Sequence, residues 1–211
     1  MAQYRVRQHV NPLSARYQRP IQTPNWAEVF QDMSAPLHLD IGCARGQFLL
    51  KMASAHPHQN FIGVEIREPL VIAATAEQQQ LQLRNLAYLF GNINFESEQF
   101  FAALPGSLEM VTIQFPDPWF KHKHHKRRVA QPELLQGIAK FLKPEGRLFI
   151  QSDIFEVVDE LRRLILKIPA FVATHEGEWL DENPLPVATE REEYVQAQNL
   201  PVYRALFQKV G

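Results

Sequence analysis

The chain has a single cysteine, Cys43, among 211 residues. That excludes an intramolecular disulfide and a multi-cysteine zinc site, and it leaves Cys43 to be read as a small buried residue in a tight loop. No apolar run reaches the length of a bilayer span. The opening Met1-Ala2-Gln3-Tyr4-Arg5-Val6-Arg7 also lacks the apolar stretch of a secretory signal, so a cytoplasmic protein without membrane contact is expected. Internal repeats and low-complexity tracts are missing as well. So is any excess of charge, since 22 Lys and Arg face 23 Asp and Glu for a net charge of -1.

That near-zero sum hides a segregation. Residues 1 to 27 carry Arg5, Arg7, Arg16 and Arg19 with no acid, whereas residues 153 to 193 carry eleven acids against four Lys and Arg. A nucleic acid would meet the basic arm and the basic run at 121 to 128. The acidic stretch then lies elsewhere, or holds a base rather than phosphates.

An apolar content of 45% with 10% aromatic residues is ordinary for a globular chain, and the length fits one domain with a sizeable core. Residues 1 to 30 read as a basic, mobile arm and 31 to 211 as a single domain. Strand patterns near 37 to 41, 61 to 65, 86 to 91, 110 to 115, 147 to 152, 170 to 175 and 202 to 209 alternate with helix patterns. The helices fall near 47 to 56, 68 to 83, 96 to 103, 132 to 142 and 155 to 167. Alternation of this kind predicts an α/β fold: a mostly parallel sheet flanked by helices. Lys143-Pro144-Glu145-Gly146 is a turn signal before the fifth strand. The stretch 176 to 200, with Asn183-Pro184 and Pro186, reads as a loop-rich insertion that would act as a substrate lid.

At the first strand, Leu37-His38-Leu39-Asp40-Ile41 runs into Gly42-Cys43-Ala44-Arg45-Gly46. Glycines such as Gly42 and Gly46 tolerate positive φ and let backbone approach a ligand. The dinucleotide fingerprint would need glycine at 42, 44 and 47, and this chain has Gly42, Ala44 and Gln47, which disfavours a pyrophosphate cradle. An acid at the loop entry, Asp40, suits a cationic amine instead. S-adenosylmethionine has such an amine and no phosphate. The second strand ends at Glu65, the placement that hydrogen-bonds a ribose diol in nucleoside-binding α/β folds. The third ends Phe90-Gly91-Asn92-Ile93, with Asn92 beside an apolar residue where adenine would lie.

The fourth strand leads into Phe115-Pro116-Asp117-Pro118-Trp119, followed by Phe120 and then Lys121-His122-Lys123-His124-His125-Lys126-Arg127-Arg128. Prolines on both sides fix φ and remove two donors, so Asp117 is not in a helix interior and sits at a strand's carboxyl end, where open α/β sheets place ligands. Three histidines invite a metal reading. Five Lys and Arg within the same eight residues would repel a divalent cation, so no metal is expected. Trp119 either stacks on a base or anchors the loop in the core, and Trp26 and Trp179 read as structural.

These segments resemble the bacterial tRNA (guanine-N7-)-methyltransferases over almost the whole chain. The resemblance runs through Arg5-Val6-Arg7-Gln8-His9-Val10-Asn11-Pro12-Leu13, Asp40 to Gly46, Gly63-Val64-Glu65-Ile66-Arg67 and Gly91-Asn92. It continues through Phe115 to Trp119, His124 to Arg128, Ser152-Asp153 and Thr189-Glu190-Arg191-Glu192. Departures are mild: Ala44 stands where the superfamily usually has a second glycine, and Ser152 where relatives often have threonine. The resemblance implies a seven-stranded, Rossmann-like class I methyltransferase that moves the methyl of S-adenosylmethionine onto N7 of a guanosine in the tRNA variable loop. It implies cofactor contacts at Asp40, Glu65, Asn92 and Asp117, with Asp117 also catalytic. It further implies substrate contacts at Lys121, Asp153, Thr189, Glu190, Arg191 and Glu192, and RNA contacts at Lys123, His124, His125, Lys126, Arg127 and Arg128.

Guanine N7 presents a lone pair and no proton, so such a transfer needs no general base. Alignment and carboxylates placed near the moving positive charge should carry it, and Asp117, Asp153 and Glu192 are the acids expected to do so.

Overall fold

A computed structural model of the chain describes residues 10 to 211. Its strands are β1 (Leu37–Ile41), β2 (Asn60–Glu65), β3 (Leu86–Phe90), β4 (Leu108–Gln114), β5 (Arg147–Ser152), β6 (Phe171–Ala173) and β7 (Tyr203–Lys209). They form one seven-stranded sheet in the order β3-β2-β1-β4-β5-β7-β6. The pairs from β3 to β5 are parallel, and β7 runs antiparallel between β5 and β6. The helices are α1 (Trp26–Val29), α2 (Gln47–Ala55), α3 (Glu68–Gln80), α4 (Ser97–Ala102), α5 (Pro132–Phe141), α6 (Phe155–Leu166) and α7 (Glu190–Ala197). The expected α/β class and mostly parallel sheet are therefore present.

Helices on both faces explain why the central strands read as continuous apolar runs: every residue of β1 and β2 is buried. Helix α6 turns Val157, Val158, Leu161 and Ile165 inward at helical spacing, and α5 does the same with Leu134, Leu135 and Ile138. Pro132 opens α5, where a missing N–H costs nothing. The Lys143 to Gly146 turn closes with the Gly146 N–H on the Lys143 carbonyl at 2.9 Å. Chain order reverses across β1, which has β2 on one side and β4 on the other. A crevice opens at the carboxyl ends of the strands at such a reversal, and it gathers the loops after β1, β2, β3 and β4.

Three local expectations need correction. Helix α3 stops at Gln80, short of 83, because Gln82 takes a left-handed φ of 52° that breaks the helical path. The stretch 176 to 200 is not all loop, since it contains α7. Its start was legible: Thr189 and Glu192 stand three apart, and the Thr189 hydroxyl accepts the Glu192 N–H at 3.1 Å as an N-cap. Finally, the expected mobile arm is docked from residue 10 onward. Ile21 and Trp26 are buried, Tyr17 meets the Phe90 ring edge-on at 6.3 Å, and the Trp26 indole donates to the Ala103 carbonyl at 2.7 Å. The part of the arm holding Arg5 and Arg7 lies outside the described residues. Trp26 and Trp179 are packed structurally as expected, Trp26 stacked on Phe30 and Trp179 wedged between Phe155 and Tyr203.

Candidate functional site

The glycine loop after β1 is built around φ values that side chains avoid. Gly42 sits at φ 84°, and a Cβ added there would meet nothing within 4 Å, so its backbone borders open space. Gly46, at φ 74°, closes the same loop from within. It is buried under the loop, its N–H closes a turn on the Cys43 carbonyl at 2.8 Å, and its own carbonyl accepts the Tyr88 hydroxyl at 2.6 Å. Cys43 is buried as expected, and burial pushes its thiol pKa well up, which keeps it a neutral packing residue.

Asp40 is buried at the end of β1, in register with Thr112 of β4. The Thr112 hydroxyl donates to it at 2.5 Å and the Gln114 amide at 3.3 Å. Burial pushes its pKa up to about 6 against those two hydrogen bonds, and the nearby Glu65 charge adds to the rise. Behind it, His38 Nε2 lies 3.1 Å from the Thr112 oxygen. Burial, helped by Arg147, lowers the His38 pKa to about 3, so the ring is neutral. Thr112 spends its proton on Asp40 and must accept from His38, which fixes the ring's N–H on Nε2.

Glu65, at the end of β2, is 3% exposed. It accepts four N–H groups: the backbone of Ala44 at 3.0 Å, the backbone of Arg67 at 2.9 Å, and Arg67 Nε and Nη2, each at 2.9 Å. Asn92, after β3, is also buried, and its amide donates to the Pro12 carbonyl of the docked arm at 3.2 Å.

Two clefts meet above these strand ends. The first encloses about 760 Å³ of space open to solvent, lined by Gly42, Glu65, Asn92, Ile93, Trp119 and Arg127, with Val10 and Pro12 of the arm on its rim. The second is lined by Asp40, Gly42, Cys43, Ala44 and, on its far wall, Asp153, Thr189, Glu190 and Arg191. Gly42, Arg67, Gln114, Phe115, Pro116 and Asp117 belong to both. Asp117 thus stands on the partition.

The partition is strained. Phe115 at φ 49° and Trp119 at φ 42° bracket the Pro116-Asp117-Pro118 turn, in a region that bulky side chains rarely occupy. Such outliers persist only where surrounding structure imposes them, and here the Phe115 N–H is tied to the Gln151 carbonyl at 2.8 Å. The prolines made a turn legible in the sequence; the left-handed residues flanking it were not.

Residues His122–Arg127 wind into a 3-10 turn. Lys121, Lys123 and Lys126 are exposed on it. The arginines are used inwardly. Arg127 lies over the Trp119 ring at 5.1 Å, His124 meets the same ring edge-on at 5.7 Å, and Arg128 is bonded to the Pro118 carbonyl at 2.8 Å and paired with Glu160 of α6. Arg128, expected among the RNA contacts, therefore also holds the loop to the body. Trp119 packs against Arg127 and His124 of the basic turn and lines the first cleft. Slight desolvation and the cations of Arg127, Lys123 and Lys121 lower the His124 pKa. Among the described residues, no group of three or more His, Cys, Asp or Glu converges as metal ligands would, and no helix is long and apolar enough to cross a membrane.

Helix α7 is pinned by successive residues. Arg191 pairs with Asp153 at 2.5 Å, Glu192 with Arg204 of β7 at 2.8 Å, and Glu193 with Lys51 of α2 at 3.0 Å. Glu192, expected as a substrate contact and as an acid near the moving charge, is fully buried, and its carboxylate also accepts the Gln151 amide at 3.0 Å and the Asn183 amide at 2.8 Å. The acids of α7 alternate around the helix, and the one facing the sheet found a buried cation. The Gln151 amide also donates to Gln114 at 2.8 Å, so a hydrogen-bonded chain runs Arg204, Glu192, Gln151, Gln114, Asp40, Thr112, His38 beneath both clefts. Gln114, Gln151 and Arg204 carried no motif that sequence reading singles out.

Comparison with known proteins agrees with this architecture. Residues 34 to 205 match a family model described as "Putative methyltransferase". The chain is 55% identical over 209 residues to a tRNA (guanine-N(7)-)-methyltransferase of Synechocystis sp., covering 99% of each protein. It is 53% identical to the Microcystis aeruginosa protein of the same name, covering 98% of this chain and 99% of that one. Among solved structures, an rRNA methylase from Streptococcus thermophilus superposes with a TM-score of 0.54 at 15% identity, covering 88% of this chain and 92% of that one, a likeness of fold alone.

Proposed function

Since the chain belongs to the tRNA (guanine-N(7)-)-methyltransferase family, we propose that the two clefts are its cofactor and guanosine seats and that Asp117 acts at their junction. The protein transfers a methyl group from S-adenosylmethionine to N7 of a guanosine in tRNA, and the variable loop is the tRNA region we assign. The observation that carries this reading is convergence: Asp40, Gly42, Glu65, Asn92 and Asp117, from the ends of four strands, line two adjoining clefts, and Gly42 and Asp117 belong to both.

The residues present fit the cofactor. Gly42 leaves open space at the loop, Glu65 offers a carboxylate to a diol, Asn92 offers an amide to a purine edge, and Asp40 supplies negative charge toward an amine. S-adenosylmethionine, when bound there, supplies a methyl group on a sulfonium, so positive charge passes to the purine as the methyl moves. Asp117 borders both clefts and is suited to stabilising that charge through the transfer. No residue need remove a proton, because N7 has none. Asp153 and Arg191, held together on the far wall, can meet guanine's N1–H, amine and carbonyl, a donor and acceptor pattern that adenine lacks. Thr189 and Glu190 line the same wall. Lys121, Lys123 and Lys126 contact phosphates around the splayed nucleotide, whose extrusion costs roughly a few kcal/mol. Residues 10 to 30 pack on the rest of the domain, and the basic arm extends the RNA surface. These substrates support a cytoplasmic location.

The test is radiolabelled methyl transfer from S-adenosylmethionine to total tRNA lacking 7-methylguanosine, followed by nucleoside analysis. Label recovered in 7-methylguanosine is expected. Label in another nucleoside, or none at all, would overturn the reading.

A further inference from the structure

Glu65 has its hydrogen-bonding capacity filled by the protein itself. A carboxylate offers about four acceptor positions, and Glu65 accepts four N–H groups. Two come from backbone, at Ala44 in the glycine loop and Arg67 at the start of α3, and these are fixed by the fold. The other two come from one side chain, Nε and Nη2 of Arg67, a fork that grips both oxygens. A vicinal diol is also a two-pronged donor to a carboxylate. It can reach Glu65 only by replacing the fork, bond for bond.

We propose that Arg67 occupies the cofactor's ribose seat in the ligand-free enzyme, and that the diol displaces its guanidinium toward the tRNA side of the site, coupling cofactor binding to tRNA binding. The inference rests on the function proposed above. Arg67 is placed for this exchange, since it borders both clefts and shares the second with Asp117, Asp153 and Thr189. Its side chain is 23% exposed, so it has a path outward without crossing the core. Burial works against its charge, but the hydrogen bonds and charge of Glu65, with Asp117 also contributing, raise its pKa above the ordinary arginine value, and it stays a cation throughout. Once off Glu65 it presents that charge beside Asp117, where a phosphate of the incoming nucleotide would receive it. Cofactor thereby strengthens the RNA site, and by linkage RNA strengthens the cofactor site by the same factor.

The competing role is a strut that merely holds Glu65 in line, and the two differ in sign. Calorimetry with S-adenosylhomocysteine, which carries the diol and transfers nothing, is performed on the full chain as wild type, Arg67→Gln and Arg67→Lys. An occupant's removal tightens binding, by about tenfold if the displaced state is populated on the order of a tenth in the free enzyme. A strut's removal weakens it. Affinity for tRNA is then measured with and without S-adenosylhomocysteine. The wild type should bind tRNA more tightly in its presence, Arg67→Gln should show no such gain, and Arg67→Lys, which keeps the charge but not the fork, should retain it with intermediate cofactor affinity. Thermal melts confirm folding; if Arg67→Gln does not fold, Arg67→Lys carries the decision, and unimproved affinity there overturns the exchange. Equal or weaker cofactor binding in Arg67→Gln, or coupling that survives in it, would also overturn the exchange alone. A wild type that fails to bind S-adenosylhomocysteine would overturn the proposed function itself.

Discussion

The two rims of the site hold their charges in opposite ways. Around the glycine loop, Asp40, Glu65 and Asn92 are each less than a tenth exposed, and each is already bonded to another part of the chain. Around the basic turn, Lys121, Lys123 and Lys126 stand in solvent, while the arginines beside them are turned to structural use. A desolvated polar group is worth much when paired and costs much when orphaned, so the first rim is precise and coupled. Solvated cations act separately and are screened by salt, so the second rim is additive and tolerant. Catalytic alignment needs the former, and a grip on a long polyanion needs only the latter.

The contrast is tested most severely at Glu192, where the buried rim extends into α7. Glu192→Ala leaves Arg204, 6% exposed, as an unpaired buried cation, and removal of one partner from such a pair costs about 3 to 5 kcal/mol. Urea melts should show that loss, and the isosteric Glu192→Gln should lose less. A melt unchanged by Glu192→Ala would mean the pair contributes nothing.

Next in size is Asp117→Asn, which keeps shape and removes charge at the partition. If electrostatic stabilisation dominates, single-turnover methyl transfer at saturating tRNA and cofactor should fall by about 100-fold or more. The wild-type rate should stay flat from about pH 6.5 to 9 because no base must titrate. A rate rising tenfold per pH unit, lost in the variant, would instead identify a general base.

A smaller effect concerns the pH dependence of folding. Asp40 holds its proton to about pH 6 when folded and loses it near 3.8 when unfolded, so its contribution to stability falls as pH rises through that window. His38 has the opposite sign: it is neutral down to about pH 3 in the fold but protonated below about 6.5 when unfolded, so its contribution rises with pH. Between pH 4 and 6 the two slopes cancel to a first approximation. Asp40→Asn should unmask the histidine, making stability climb with pH relative to wild type by about 1.4 kcal/mol per unit. Parallel stability curves for the two proteins across that window would refute the opposition.

The smallest single effects belong to the exposed rim. Lys121→Ala, Lys123→Ala and Lys126→Ala should each weaken tRNA a few-fold, reduce the salt slope by roughly 0.7 to 0.9, and add when combined. Cofactor affinity should be unchanged. Strong non-additivity would show that the turn behaves like the buried rim after all.

Much of this was legible in the chain. The alternating patterns gave all seven strands and five helices, and Asp40, Glu65, Asn92 and Asp117 were each legible as strand-end polar groups, which the parallel register then gathered into one crevice. Helix α7 was missed because Asn183, Pro184 and Pro186 advertise a loop, although the Thr189 and Glu192 cap spacing announced it. The docking of residues 10 to 30 is not legible because arginine-rich, proline-rich composition says nothing about Ile21, Trp26 and Phe30 finding the core.

By itself, then, the sequence determined the elements, their order and the residue types at each strand end, because periodicity and turn chemistry are local properties of the chain. Tertiary structure alone decided which of those charges face a ligand and which face each other. Arg128 turned to Glu160, Glu192 to Arg204 and Arg67 to Glu65. Each choice depends on which partners the packed sheet brings within hydrogen-bond reach and on how much water remains there, and neither distance nor desolvation is written in the order of the residues.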